Sequence, residues 1–143
     1  MQSARAPGAR LHARLGGDAP STGAALPFIV HRAVDRLQAC SERAPLHINL
    51  VIYTELLVPE PEVAVLDAML DVFETQRSAL PWYSAALAAK AFSLYRKRGG
   101  VRRSPRSDFY IGAHAAASNL TVLTRDRTPY RSHFPRLMLV CPD

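Results

Sequence analysis

The chain has 143 residues, 48% of them apolar, and carries 18 Lys and Arg against 12 Asp and Glu for a net charge of +6. That length suits one domain with one core, the apolar share argues against global disorder, and no apolar run approaches the ~20 residues that span a bilayer, so no membrane partner is expected. Cys40 and Cys141 form neither a disulfide framework nor a Cys-x-x-Cys metal pair, which fits free thiols in a reducing, cytoplasmic setting, and the positive charge favours a polyanionic partner.

The first segment, "MQSARAPGARLHARLGGDAPSTGAA", carries Arg5, Arg10 and Arg14 and many small residues but no periodic apolar face. It lacks the apolar centre of a signal peptide. Residues 1–26 therefore read as a disordered or out-of-frame segment, and residues 27–143 as the domain. "HRAVDRLQACSERA" predicts a modest amphipathic helix through Val34 and Leu37. "LHINLVIY", Leu46 to Tyr53, predicts a buried strand with Glu55 just beyond it. "PEPEVAVLDAMLDVFETQ" predicts a helix with Leu66, Met69, Leu70 and Phe73 on its core face. "YSAALAAKAFSLYRKRGG" predicts an Ala-rich helix ending at Gly99-Gly100. After the loop "VRRSPRS", Asp108 stands where an N-cap belongs, before "FYIGAHAAASN". Asn119 marks the stop, Leu120–Thr124 the next strand, Pro129 and Pro135 a loop, and "LMLVC" a last strand. These elements predict a three-layer α/β/α sandwich with a mostly parallel sheet.

In open α/β sheets, ligands bind at the carboxyl ends of the strands. Glu55, Asp108 and Asp126 come from three separated segments and are all expected at that edge. Carboxylates ~4 Å apart repel by on the order of 4 kcal/mol per pair at an effective dielectric of 20, so such a cluster needs a cation or a proton. Oxygen ligands without Cys or His select Mg²⁺ or Mn²⁺, ions suited to phosphodiester hydrolysis. Singly, each acid has a plainer role: Glu55 as a solvated helix residue, Asp108 as a cap, Asp126 as a turn residue beside Arg125 or Arg127.

"INLVIYTEL", "SDFYIGAHAAASNLTVLTRD" and "YRSHFPRLMLV" together resemble a PIN domain, most closely the ribonuclease toxins of VapBC-type toxin–antitoxin pairs. The resemblance spans roughly Pro45 to Pro142. It implies a Mg²⁺- or Mn²⁺-dependent endoribonuclease acting on RNA, a homodimer and an antitoxin partner in the active-site groove. By position it implies Glu55, Asp108 and Asp126 as metal ligands and Thr124 as the polar residue beside the last of them. The family pattern opens with an apolar strand ending in Asp. Here Asp18 has no apolar run before it, and "LPFIV" is followed by His31. The first strand is therefore expected to be absent or replaced, and low solubility follows unless the N-terminal segment supplies a substitute. The alternative reading is an inactive PIN remnant that binds only an antitoxin, a dimer partner or RNA.

The run "RKRGGVRRSPRS" is basic, and Arg102, Arg103 and Arg106, with Arg125, are candidates to hold RNA phosphates, against a plain solvated loop. His114 lacks metal-ligand spacing and reads as structural. Trp82 and Tyr83 read as packing or dimer contacts. Ser107 has no triad partners, and no Gly-rich phosphate loop occurs.

Overall fold

A computed structural model of the chain describes residues 28–31 and 36–141. The expectation for residues 1–26 lies outside the described residues. Phe28–His31 forms the strand β1, followed by the short helix α1, Leu37–Ser41.

The strand expected to run to Tyr53 stops early: β2 is Leu46–Ile48. Asn49 is the cause. Its backbone is extended and its Oδ1 accepts from the Ile52 amide at 2.9 Å, which is what an N-cap does. Helix α2, Leu50–Leu57, then carries the β-branched run, because strand preference is weak against the complete burial of Ile52 in the core. The same Asn49 donates Nδ2–H to Nδ1 of buried His114 at 3.0 Å, so His114 is a core histidine holding a cap, as its sequence context implies.

Helix α3, Val63–Val72, buries Leu66 and Leu70, with Met69 and Phe73 packed beside them. It ends sooner than expected, at Val72, with Glu74 just beyond it at φ 51, and Gln76–Arg77 forms the short strand β3. Arg77 pairs with Asp67 at 2.6 Å and lies over the Tyr53 ring, which fixes β3 to α2 and α3. Helix α4, Trp82–Lys97, closes at Gly99, whose φ of 91 suits glycine, with the Gly100 amide bonded to the Tyr95 carbonyl. Helix α5, Ser107–Ala117, stops where expected, at Asn119 with φ 52.

Strand β4, Thr121–Thr124, is buried throughout. The expected loop after it contains a helix, α6, Thr128–His133. Pro129 stands in its first turn, where its missing N–H costs nothing, and Asp126 Oδ1 accepts from the Thr128 amide at 3.0 Å. Strand β5 is Leu139–Val140.

The five strands are all parallel, in the order β3-β2-β1-β4-β5, with helices on both faces. This bears out the sandwich. Of the two expectations for the first strand, absence or replacement, the structure shows replacement: Phe28–His31 takes the central place, pairing Phe28 with Leu46 on one side and Phe28 to His31 with Thr121 to Thr124 on the other. Ile29 and Val30 are buried, and the premise for poor solubility disappears.

The main core joins β1, β2 and β4 to Leu37, Ile52, Leu66, Ile111 and Tyr130 from the helices. A second cluster, Ala88, Ala91, Phe109 and Ala113 with Phe134, seats α4 on α5. Gly112 makes room for the Phe134 ring: a Cβ there overlaps the ring edge. Gly112→Ala is expected to lower stability by about 1–3 kcal/mol, because overpacking outweighs the ~1 kcal/mol gain in helix propensity. Urea unfolding checks this, and an unchanged midpoint would show that Phe134 moves aside freely.

Candidate functional site

The strand order reverses between β1 and β4, so the crevice of this sheet opens at their carboxyl ends. His31 ends β1 and Thr124 ends β4, and they are register partners. The site is built around that pair.

His31 is 3% exposed. Its Nε2 is hydrogen-bonded to Glu55 Oε2, and its Nδ1 to the hydroxyl of Tyr130. Glu55 lies inside α2 rather than just past a strand, and its second oxygen, Oε1, accepts from Ser107 Oγ at 2.5 Å. A continuous chain therefore runs Tyr130–His31–Glu55–Ser107 and ties α6, β1, α2 and α5 together. In the neutral ring, Nε2–H donates to the carboxylate and Nδ1 accepts from Tyr130, which satisfies both nitrogens.

Asp108 is not the cap expected: α5 begins at Ser107, its N-cap is Arg106 without a side-chain bond, and Asp108 occupies the first turn. There its charge suits the positive end of the helix. It also acts on His133, whose ring stacks on Phe109 at 4.1 Å and meets Tyr95 edge-on. Burial lowers the His133 pKa, Asp108 raises it and Arg98 lowers it. Asp126 is exposed and closes the turn between β4 and α6. Buried Thr124 pins that turn, its hydroxyl exchanging hydrogen bonds at 3.2 Å with the backbone of Asp126.

The structure thus brings Glu55 against His31 and Ser107 and places Thr124 beside His31 in the sheet, while Asp126 is engaged with the α6 amide. Among the described residues, no group of three or more His, Cys, Asp or Glu side chains stands so as to hold a metal ion. The donor set also fits Mg²⁺ poorly: at Glu55 both oxygens already have donors, and His31 offers nitrogen where a hard cation takes oxygen. The residues present do not fit the divalent ion.

Arg102, Arg103, Arg106 and Arg125 are all exposed. The loop carrying the first three is anchored: the Arg102 amide donates to the Tyr95 hydroxyl, and Arg96 Nη1 donates to the Arg102 carbonyl at 2.7 Å. Trp82 and Tyr83 are 94% and 66% exposed. Cys40 and Cys141 are free thiols. No helix of the described residues is long and apolar enough to cross a membrane.

His31 and Tyr130 are the functional-edge residues that sequence reasoning undervalued. The strand-end rule points to His31 once "FIV" is taken as a strand. Tyr130 carries no such signal, because its contact with His31 spans 99 residues.

Burial also lowers the pKa of His47 and of His114, and His114 is lowered further by His47. A histidine depressed in the folded state stays neutral while the unfolded chain takes up a proton, so stability is full above the unfolded pKa of ~6.5 and is lost as pH falls below it. The urea midpoint is expected to be lower at pH 5.5 than at pH 7.5, and His114→Gln to flatten part of that slope. A higher midpoint at pH 5.5 would contradict this.

The sheet order and the helices on both faces define a PIN-type α/β sandwich. Solved structures share it. A chain of the VapBC2 structure from Rickettsia felis, bound to a DNA fragment from its promoter, matches with a TM-score of 0.65 at 15% identity, covering 82% of this chain and 100% of that one. VapBC-1 from nontypeable Haemophilus influenzae matches with a TM-score of 0.63 at 15% identity, over 81% and 98% of the two chains. FitAcB from Neisseria gonorrhoeae matches with a TM-score of 0.57 at 17% identity, over 78% and 95%. The likeness is one of fold. No protein-family model matches the chain, and no curated protein matches it in sequence.

Proposed function

We propose that this chain is a VapC-type toxin-fold protein that associates with an antitoxin-type partner and with a second copy of itself, and that its metal-dependent RNA cleavage is lost. The observation that carries this reading is His31, buried at the carboxyl end of the central strand and hydrogen-bonded to Glu55. The fold match to chains of VapBC and FitAcB structures supports the partner.

A second reading is the Mg²⁺- or Mn²⁺-dependent endoribonuclease. The specific observation favouring it is that Glu55, Thr124 and the start of α5, with Asp108, border the β1–β4 crevice. In this reading the exposed side chains of Arg102, Arg103 and Arg106, with Arg125, contact RNA phosphates. One assay separates the two. Purified protein is incubated with RNA in MgCl₂, in MnCl₂ and in EDTA, alongside Asp108→Asn. The expected result is no metal-dependent cleavage, with a sedimentation mass of twice the 15.7 kDa chain. Cleavage that needs the metal and disappears in Asp108→Asn would overturn the first reading in favour of the second.

A further inference from the structure

Two of the three acids at the carboxyl edge already accept hydrogen bonds. Glu55 receives His31 and Ser107, Asp126 receives the Thr128 amide, and Asp108 lies in the first turn of α5 with its charge felt by His133. A cation entering at Glu55 would displace both donors. The His31 ring is 3% exposed, so breaking its bond to Glu55 removes a buried hydrogen bond, which is costly. Mg²⁺ and Mn²⁺ would gain in return one carboxylate and no second oxygen ligand from β1.

We propose that the His31 imidazole stands in the place of a divalent cation, and that Tyr130, His31, Glu55 and Ser107 form a hydrogen-bonded plug that keeps the β1–β4 crevice free of metal. This rests on the functional reading above and names the residue responsible for it. His31 is a positioning residue: it supplies a donor to Glu55, as a bound cation would supply charge, and it holds α2 and α6 to the end of the central strand. Each Glu55 oxygen accepts a hydrogen bond, one from the His31 N–H and one from the Ser107 O–H, so neither oxygen lacks a donor in the absence of a cation.

The test uses MnCl₂ alone as the probe on the full chain, read by Mn²⁺ electron paramagnetic resonance and by thermal melting. The wild type is expected to leave the free-Mn²⁺ signal unchanged and to melt at the same temperature with and without the ion. His31→Asp places a second carboxylate beside Glu55. That variant is expected to melt lower without metal, to bind Mn²⁺, and to regain roughly 5 °C or more when the ion is near a hundredfold above its Kd. His31→Asn, similar in size but uncharged, is expected to show no such rescue. Mn²⁺ binding by the wild type that is lost in Glu55→Gln would overturn the proposal, as would a His31→Asp chain whose folding or melting is the same with and without Mn²⁺. The two claims fail separately. Metal-dependent RNA cleavage by the wild type defeats the functional reading, whereas a silent wild type with an equally silent His31→Asp defeats the plug alone.

Discussion

Val30→Pro is expected to leave a chain with no cooperative melt. Val30 is 1% exposed, in the middle of the central strand, and its register partner on β4 is Leu123. Proline there removes a ladder N–H, and its ring disturbs the strand between two neighbours. An orphaned buried backbone group alone costs about 1–3 kcal/mol, and the displaced side chains of Ile29 and His31 add to it. The total is at least ~3 kcal/mol from a domain whose whole stability is ~5–15 kcal/mol. β1 also joins two halves of the sheet: without it, β2 and β3 lose their connection to β4 and β5. Circular dichroism melts decide the matter. A variant melting within a degree or two of the wild type would place Phe28–His31 outside the sheet.

Tyr130 carries the second large effect. It is fully buried, belongs to the main core and gives its hydroxyl to His31, with the two rings edge-on at 5.9 Å. Tyr130→Ala removes a large buried ring and is expected to cost about 3–5 kcal/mol. Tyr130→Phe keeps the ring and withdraws only the hydroxyl from His31 Nδ1, at an expected cost of about 1–3 kcal/mol. The difference between the two variants separates packing from the polar chain. Urea unfolding of both is the measurement, and a Phe variant as stable as the wild type would show that the hydroxyl does not support His31.

The parts of the fold legible in the sequence are those fixed by local chemistry. The stripe Leu66, Met69, Leu70 and Phe73 marks α3, Asn119 ends α5, and the apolar run before Arg125 is β4. What was not legible depends on pairing across the chain. "FIVH" is only four residues, and nothing within it tells that β2 and β4 will flank it. The run after Asn49 reads as strand by composition, and one cap hydrogen bond to Ile52 with tertiary burial turns it into helix, which moves Glu55 from a strand end into α2. α6 was hidden because two prolines suggest a loop, whereas Pro129 starts the helix. For the candidate edge, the strand-end rule pointed to Glu55, Asp108 and Asp126; the structure carries Glu55 inside α2, bonded to His31 and Ser107, Asp108 in the first turn of α5, and Asp126 in the turn after β4. The rule did not reveal that His31 would meet Glu55, because that contact joins residues 24 apart through the fold.

The most direct measurement is crystallographic: crystals soaked in MnCl₂, with data collected near the manganese absorption edge. The predicted result is no anomalous peak within coordination distance of Glu55, Asp108 or Asp126, and a His31 ring still bonded to Glu55 and Tyr130. A manganese peak at Glu55, with the His31 ring turned away, would contradict the claim that this edge is closed by a histidine.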